Sequence, residues 1–184
     1  MFFAVCVGAD AVTDELAEQL ARVKTAQSEF TEEKHLALFT APVVSKGIFK
    51  FDKTAQKLRW EYQQPFANGF IIEGKKIFRV RDGKKTPVKN GLARNAAAQM
   101  MVWLTLDIRE LAKTYRITQA ENKLVFTPIN AANDIIDNIT VWVERTENPP
   151  RVSAVKITEK NGDFTLFNFT GSVLNTPIPS EDFQ

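Results

Sequence analysis

The sequence predicts an α+β, mainly β fold: an unclosed antiparallel β-barrel, or half-barrel, with helices covering its concave apolar face. Three observations predict it. Apolar and polar residues alternate with period two from Phe30 to Val80 and again from Tyr115 to Leu174. Turn signals such as Glu73-Gly74-Lys75, Asp82-Gly83, Asn148-Pro149-Pro150 and Asn161-Gly162-Asp163 come at the close spacing of a meander. Helical periodicity is confined to the beginning and the middle of the chain. About ten strands of this length twist too strongly to stay flat, so the sheet curls. Helices leaving such a sheet plug or cover its concave side.

The first helix follows Thr13, a fair N-cap, and carries acids in its opening turn. Leu16, Leu20, Val23 and Gln27 form one stripe, with Glu15, Glu18, Arg22 and Lys24 elsewhere on the wheel, so the helix lies on something apolar. Strands are predicted over 28–39, 45–52, 57–63, 70–73, 75–81 and 85–88. The Ala-rich stretch 92–104 breaks the alternation and favours helix, and a second short helix is predicted over 107–113. Alternation then returns over 115–120, 123–128, 138–145, 151–159 and 164–174. The last of these has apolar residues on both faces, as suits a strand covered on both sides or packed at an edge.

The chain of 184 residues is long enough for one domain and short for two. Residues 1–11 read as the remnant of an export signal and 12–184 as a single domain. The apolar run from Met1 to Ala11 ends in small residues, with Val7-Gly8-Ala9 as a cleavage site, but lacks a basic leader. This points to an exported protein. Fourteen Phe against two Tyr favour a large apolar interior or pocket over a polar cleft. The net charge of +2 is interspersed, which leaves no nucleic-acid footprint. One Cys, Cys6, forbids an intramolecular disulfide, and with the single His35 it leaves no conventional zinc site. No metal, cofactor or enzymatic activity is therefore expected, and the protein is expected to be a monomer. There is no Gly-x-Ser-x-Gly elbow and no phosphate loop. Glu32-Glu33-Lys34-His35 reads as a solvated strand beginning, and Asp107 and Glu110 as first-turn acids favoured by the helix dipole.

The candidate site is the apolar face itself. Phe49 and Phe51, then Leu58, Trp60 and Tyr62, then Phe70 and Ile72, then Phe78 and Val80 are each spaced by two, so each set shares one sheet face, and Val141 with Val143, Val155 with Ile157, and Phe164, Leu166 and Asn168 against Thr165, Phe167 and Phe169 add to it. Leu16, Leu20 and Val23 of the first helix and Met100, Met101, Trp103 and Leu104 of the mid-chain helix form the candidate lid. Either the helices fill the concavity and these residues are core, or the concavity exceeds its own side chains. In the second case, Met and aromatics re-pack around an acyl chain, at about 0.8 kcal/mol per buried methylene.

In order and spacing these residues resemble the periplasmic lipoprotein carrier family, LolA. The matching elements are the helix ending near Val23, Phe30-Thr31-Glu32, Gly47-x-Phe49-x-Phe51, Leu58-Arg59-Trp60-Glu61-Tyr62 with Pro65, and Ile71-Ile72-Glu73-Gly74-Lys75. A weaker likeness reaches Asn175-Thr176-Pro177-Ile178-Pro179. The resemblance implies a half-barrel with a helical lid over a lipid cavity. Its implied cargo is an acylated lipoprotein, received from an inner-membrane transporter and passed to an outer-membrane acceptor. It places Leu58 and Trp60 among cavity-lining positions. Classical members carry an Arg, followed by Pro, after the Gly-led strand, and that Arg latches the lid. Here the chain reads Asp52-Lys53-Thr54, so Lys53 is the candidate latch, without the rigid fork of Arg. The alternative cargo is another lipid or glycolipid, handled alongside a membrane exporter.

Overall fold

The computed structural model describes residues 9–89, 103, 106–130, 135–145 and 149–184. Helix α1 (Ala9–Ala21) leads into six strands: β1 (Thr25–His35), β2 (Val43–Asp52), β3 (Lys57–Gln64), β4 (Asn68–Glu73), β5 (Lys76–Arg81) and β6 (Lys84–Pro87). A short helix α2 (Ile108–Leu111) precedes β7 (Tyr115–Ala120), β8 (Lys123–Pro128), β9 (Ile136–Glu144), β10 (Arg151–Glu159) and β11 (Phe164–Leu174). A 3-10 turn, Ser180–Phe183, ends the chain.

All described strands join one antiparallel sheet in the order β6-β5-β4-β3-β2-β1-β11-β10-β9-β8-β7. Two meanders are thus welded at β1 and β11, and the outer strands β6 and β7 do not meet, so the half-barrel stays open. The edge at β6 is Lys84-Lys85-Thr86-Pro87, exposed along its length, whose charges and proline discourage pairing with another chain. The Asp82-Gly83 turn has positive φ at both residues, 50° and 71°, the type I′ geometry that matches strand twist.

Register decides which face each side chain takes. Ala26 lies opposite Phe51, which lies opposite Leu58, then Ile72, then Ile77. On the other meander Phe126 lies opposite Ile139, which lies opposite Ile157, and Leu124 lies opposite Val141, which lies opposite Val155. All these point to the concave side. There, Leu16, Ala17 and Leu20 of α1, with Leu106, Ile108 and Leu111, pack on Phe126, Ile139 and Val141. A second cluster, Ala26, Phe51, Leu58, Ile72 and Ile77, sits on the β1–β5 half of the sheet.

The convex side carries the charges. Arg59 Nε donates to Glu61 at 2.7 Å, and Arg59 Nη1 donates to the carbonyls of Asp182 and Gln184 at 3.2 and 3.0 Å. Lys50 pairs with Asp182 at 2.8 Å, so the C-terminal turn is strapped to the outside of the sheet with Phe183 buried.

Several boundaries differ from those read in the sequence. Helix α1 starts at Ala9, so Thr13 lies within it and is not its N-cap. Strand β1 starts at Thr25, three residues before the expected start, because Thr25 and Ala26 already pair with Asp52 and Phe51 of β2. It stops at His35, short of the expected 39. The second predicted helix shortens to α2, where Asp107 is the N-cap and its Oδ1 accepts from the Glu110 N–H at 3.1 Å. Strand β11 is central between β1 and β10, not at an edge. The predicted helix 92–104 lies outside the described residues except for Trp103.

Candidate functional site

The two apolar clusters leave a gap between them. The gap is a cavity of about 470 Å³ bounded by the concave sheet and by α1. Eighteen described residues line it, and only Gln27, Arg151 and Ser172 among them are polar. The volume falls within the ~300–1,000 Å³ of small-molecule sites. It is about three times the ~150 Å³ that a dry apolar pocket needs to hold one benzene, so it has room for on the order of eighteen carbons.

One wall is a tier of aromatic rings. Phe30 stacks on Trp60 with centroids 4.3 Å apart, and Phe49 stacks on Trp60 at 5.8 Å. Phe167 meets Trp60 edge-on at 5.7 Å, and Phe169 meets Phe49 at 5.5 Å. Gly47 makes the tier possible. A Cβ there would stand 2.6 Å from Phe30 Cζ and would run into the Glu61 carbonyl. The missing side chain lets the Phe30 ring lie flat across β2.

Beyond this tier, the concave face turns polar. Glu32 is only 4% exposed, and Lys34 Nζ stands 3.4 Å from its Oε1. Burial pushes the Tyr62 phenol up to about 12, and the nearby Glu32 carboxylate adds to that rise. The solvated reading of this segment is corrected for Glu32: alternation turns Glu32 and Lys34 inward, while Glu33 and His35 pair outside at 3.2 Å.

Of the candidate lining residues, Phe49 and Trp60 border the cavity, as do Leu20, Val23 and Trp103 of the candidate lid. Leu16 is buried in the first cluster beneath them. Phe51, Leu58 and Ile72 form the second cluster, with Phe70 packed against it. They support the wall without reaching the cavity. Tyr62 packs edge-on against Phe30 at 5.3 Å, behind the tier. Phe78 and Val80 stand on the convex face: the turn at Gly74-Lys75 sets Phe78 opposite Ile71 and Val80 opposite Gly69, whereas Phe70 faces Arg79. Spacing by two gives a shared face within a strand but not which face, and the turn decides that. Lys53 lies exposed in the β2–β3 turn, its backbone N–H bonded to the Lys24 carbonyl at 2.8 Å. Met100, Met101 and Leu104 lie outside the described residues.

On the opposite wall, Val155, Ile157, Phe167 and Phe169 belong to the apolar sets read in the sequence, whereas Leu106, Val152 and Leu174 were missed. The alternation in β10 and β11 was legible, but nothing local says that these strands close on β1.

The sequence profile described as outer membrane lipoprotein carrier protein LolA matches residues 21–184. No curated protein matches the chain. Similar solved structures include the MucA/MucB complex of Pseudomonas aeruginosa, at 14% identity and TM-score 0.56 over 96% of this chain and 60% of that one. The lipoprotein LppX of Mycobacterium tuberculosis has 10% identity and TM-score 0.55 over 94% of this chain and 99% of that one. A LolA superfamily protein from Nitrosomonas europaea has 12% identity and TM-score 0.50 over 97% and 98%. At these identities the structures share a fold. The profile match spans most of the chain together with its apolar half-barrel, and the protein belongs to the LolA family of outer membrane lipoprotein carriers.

Proposed function

We propose that the protein is a periplasmic carrier that shields the acyl chains of lipoproteins inside the half-barrel during transfer from the inner to the outer membrane. The observation that carries this reading is the cavity of about 470 Å³ between sheet and helix, apolar on nearly every side. Each methylene buried there is worth ~0.8 kcal/mol, enough to compete with a bilayer as the alternative host. Helix α1 acts as part of the lid and moves as cargo enters.

Handover needs a surface that a transporter, an acceptor or a bilayer can touch. Leu38 (93% exposed), Phe39, Phe66 (77%), Ile129 and Ile135 all protrude from loops at one end of the sheet. The β1–β2 loop is tied to the β10–β11 turn by the Ala37 N–H on Asp163 Oδ1 at 2.7 Å, and that turn to Ile135 by the Lys160 N–H at 3.0 Å. Exposed apolar side chains gathered in this way mark contact sites.

A second reading, a carrier of another lipid or glycolipid, is favoured by the cavity's size. It suits one chain, and a cargo with several chains requires the lid to swing well away. Lys53 in place of a latching Arg points the same way. Native mass spectrometry of the protein from its own periplasm, with extraction of bound species, tests both. Co-purifying acylated protein supports the first reading and a free lipid the second. An empty protein that also refuses added fatty acid overturns both.

A further inference from the structure

Strand β11 does not keep one alternation along its length. Phe167 lies opposite Glu32 and Phe169 opposite Phe30, both on the concave side of β1, so odd positions face inward there. Nearer the end of the strand Leu174 lies opposite Ala26, and even positions face inward. The exchange happens at a β-bulge. From Gln27 to Glu29 the register advances two residues on β1 and three on β11, so Gly171 and Ser172 together oppose Ser28. Gly171 takes the left-handed φ, 62°, that suits the first residue of such a bulge.

The bulge has an outcome that burial alone disfavours. Unbroken alternation would turn Val173 into the cavity. Instead Val173 stands 42% exposed on the convex side, and half-buried Ser172 lines the cavity. Ser172 carries the one hydroxyl among the described lining residues. Of the other two polar lining residues, Gln27 lies opposite Lys50 and Arg151 opposite Glu144, and both side chains turn to the convex face.

The bonding of the hydroxyl fixes what it offers. Ser28 Oγ lies 2.8 Å from the carbonyl oxygens of both Glu29 and Thr170, and 2.9 Å from Ser172 Oγ. Carbonyls only accept, so the single Ser28 proton goes to them. The bond between the two serines then runs from Ser172 to Ser28. With its proton engaged, Ser172 Oγ meets the cavity as an acceptor, in a lining that is apolar on nearly every side.

We propose that the cavity takes an alkyl chain bearing a neutral hydrogen-bond donor, a hydroxyl or an amide N–H, and that Ser172 receives that donor. The proposal rests on the carrier reading for the chain; Ser172 adds selectivity for the substituent. A plain chain leaves the Ser172 acceptor unmet. A donor-bearing chain, without Ser172, gives up its water partners and gains none.

The test measures displacement of a fluorescent lipid from the purified protein by two sets of probes. Stearate, 3-hydroxystearate and 12-hydroxystearate share one chain and differ by a hydroxyl. N-palmitoylglycine and its ester counterpart, palmitoyl glycolate, differ by an N–H. Ser172→Ala should weaken a hydroxystearate or the amide about three- to tenfold, the loss of one neutral hydrogen bond. Affinity for stearate and for the ester should stay as it was, which also reports an intact fold. The set that responds identifies the donor, and Ser172→Thr, which keeps the hydroxyl, should retain most of the affinity. Donor-bearing probes that respond to Ser172→Ala no more than stearate and the ester do overturn the assignment of Ser172 while leaving the carrier reading standing. Failure of wild type to bind any probe overturns the carrier reading as well.

Discussion

Val155→Phe separates a ligand cavity from an ordinary core. Val155 points to the concave side, opposite Val141 on β9 and Phe167 on β11, and lines the cavity while only half-buried. The substitution adds about four carbons to that space. Those carbons displace a comparable length of cargo chain, and at ~0.8 kcal/mol per methylene the loss is about 3 kcal/mol, more than a hundredfold in Kd. The empty protein should behave in the opposite sense. The added ring packs on Phe167 and Val141 instead of facing a void, so stability should hold or rise. In a filled core the same change is overpacking and costs ~1–3 kcal/mol. Denaturant unfolding and titration with a fluorescent fatty acid read the two quantities side by side. A loss of stability with undiminished uptake would refute the reasoning, since the space at Val155 would then be neither empty nor the site.

Other outcomes follow from the same geometry. Leu58→Glu should abolish cooperative unfolding by circular dichroism, because Leu58 is fully buried between Phe51 and Ile72 and a carboxylate there has no partner; a folded variant that merely lost uptake would put Leu58 in the cavity instead. Gly47→Ala should cost ~1–3 kcal/mol, measured by denaturant midpoint, since its Cβ meets Phe30 and the Glu61 carbonyl. Tyr62 should ionise at about 12, as a phenolate absorbance step that Tyr62→Phe removes. The fold keeps a proton that the unfolded chain gives up near 10.0, so this contribution to stability is intact below pH 10 and declines between 10 and about 12. Leu38→Asp combined with Phe66→Asp should slow transfer of bound lipid to an acceptor while leaving uptake unchanged, read by lipid exchange between vesicles; equal loss of both would place the exposed end within the binding site.

The sequence by itself determined the two periods and hence the architecture. Alternation in Leu58, Trp60 and Tyr62 and in Val141 and Val143 made strands, and the spacing of Leu16 and Leu20 made a helix that must cover them. So many twisted strands on one apolar side left a half-barrel as the natural form. Family membership was legible as well, in the order of short motifs from Phe30 to Lys75.

Tertiary structure alone decided where the space is. Phe51 and Trp60 carry the same local signal, an aromatic inside an alternating strand. Yet Phe51 is sealed by Ala26 and Leu58, while Trp60 borders the cavity. Phe78 and Phe70 differ by a turn that exchanges the faces of the next strand. The pairing of β1 with β11 brings the Ser28 hydroxyl to 2.9 Å from that of Ser172, from opposite ends of the chain. A void is what remains when distant elements fail to fill one another's gaps, and no single stretch of sequence contains both sides of a gap.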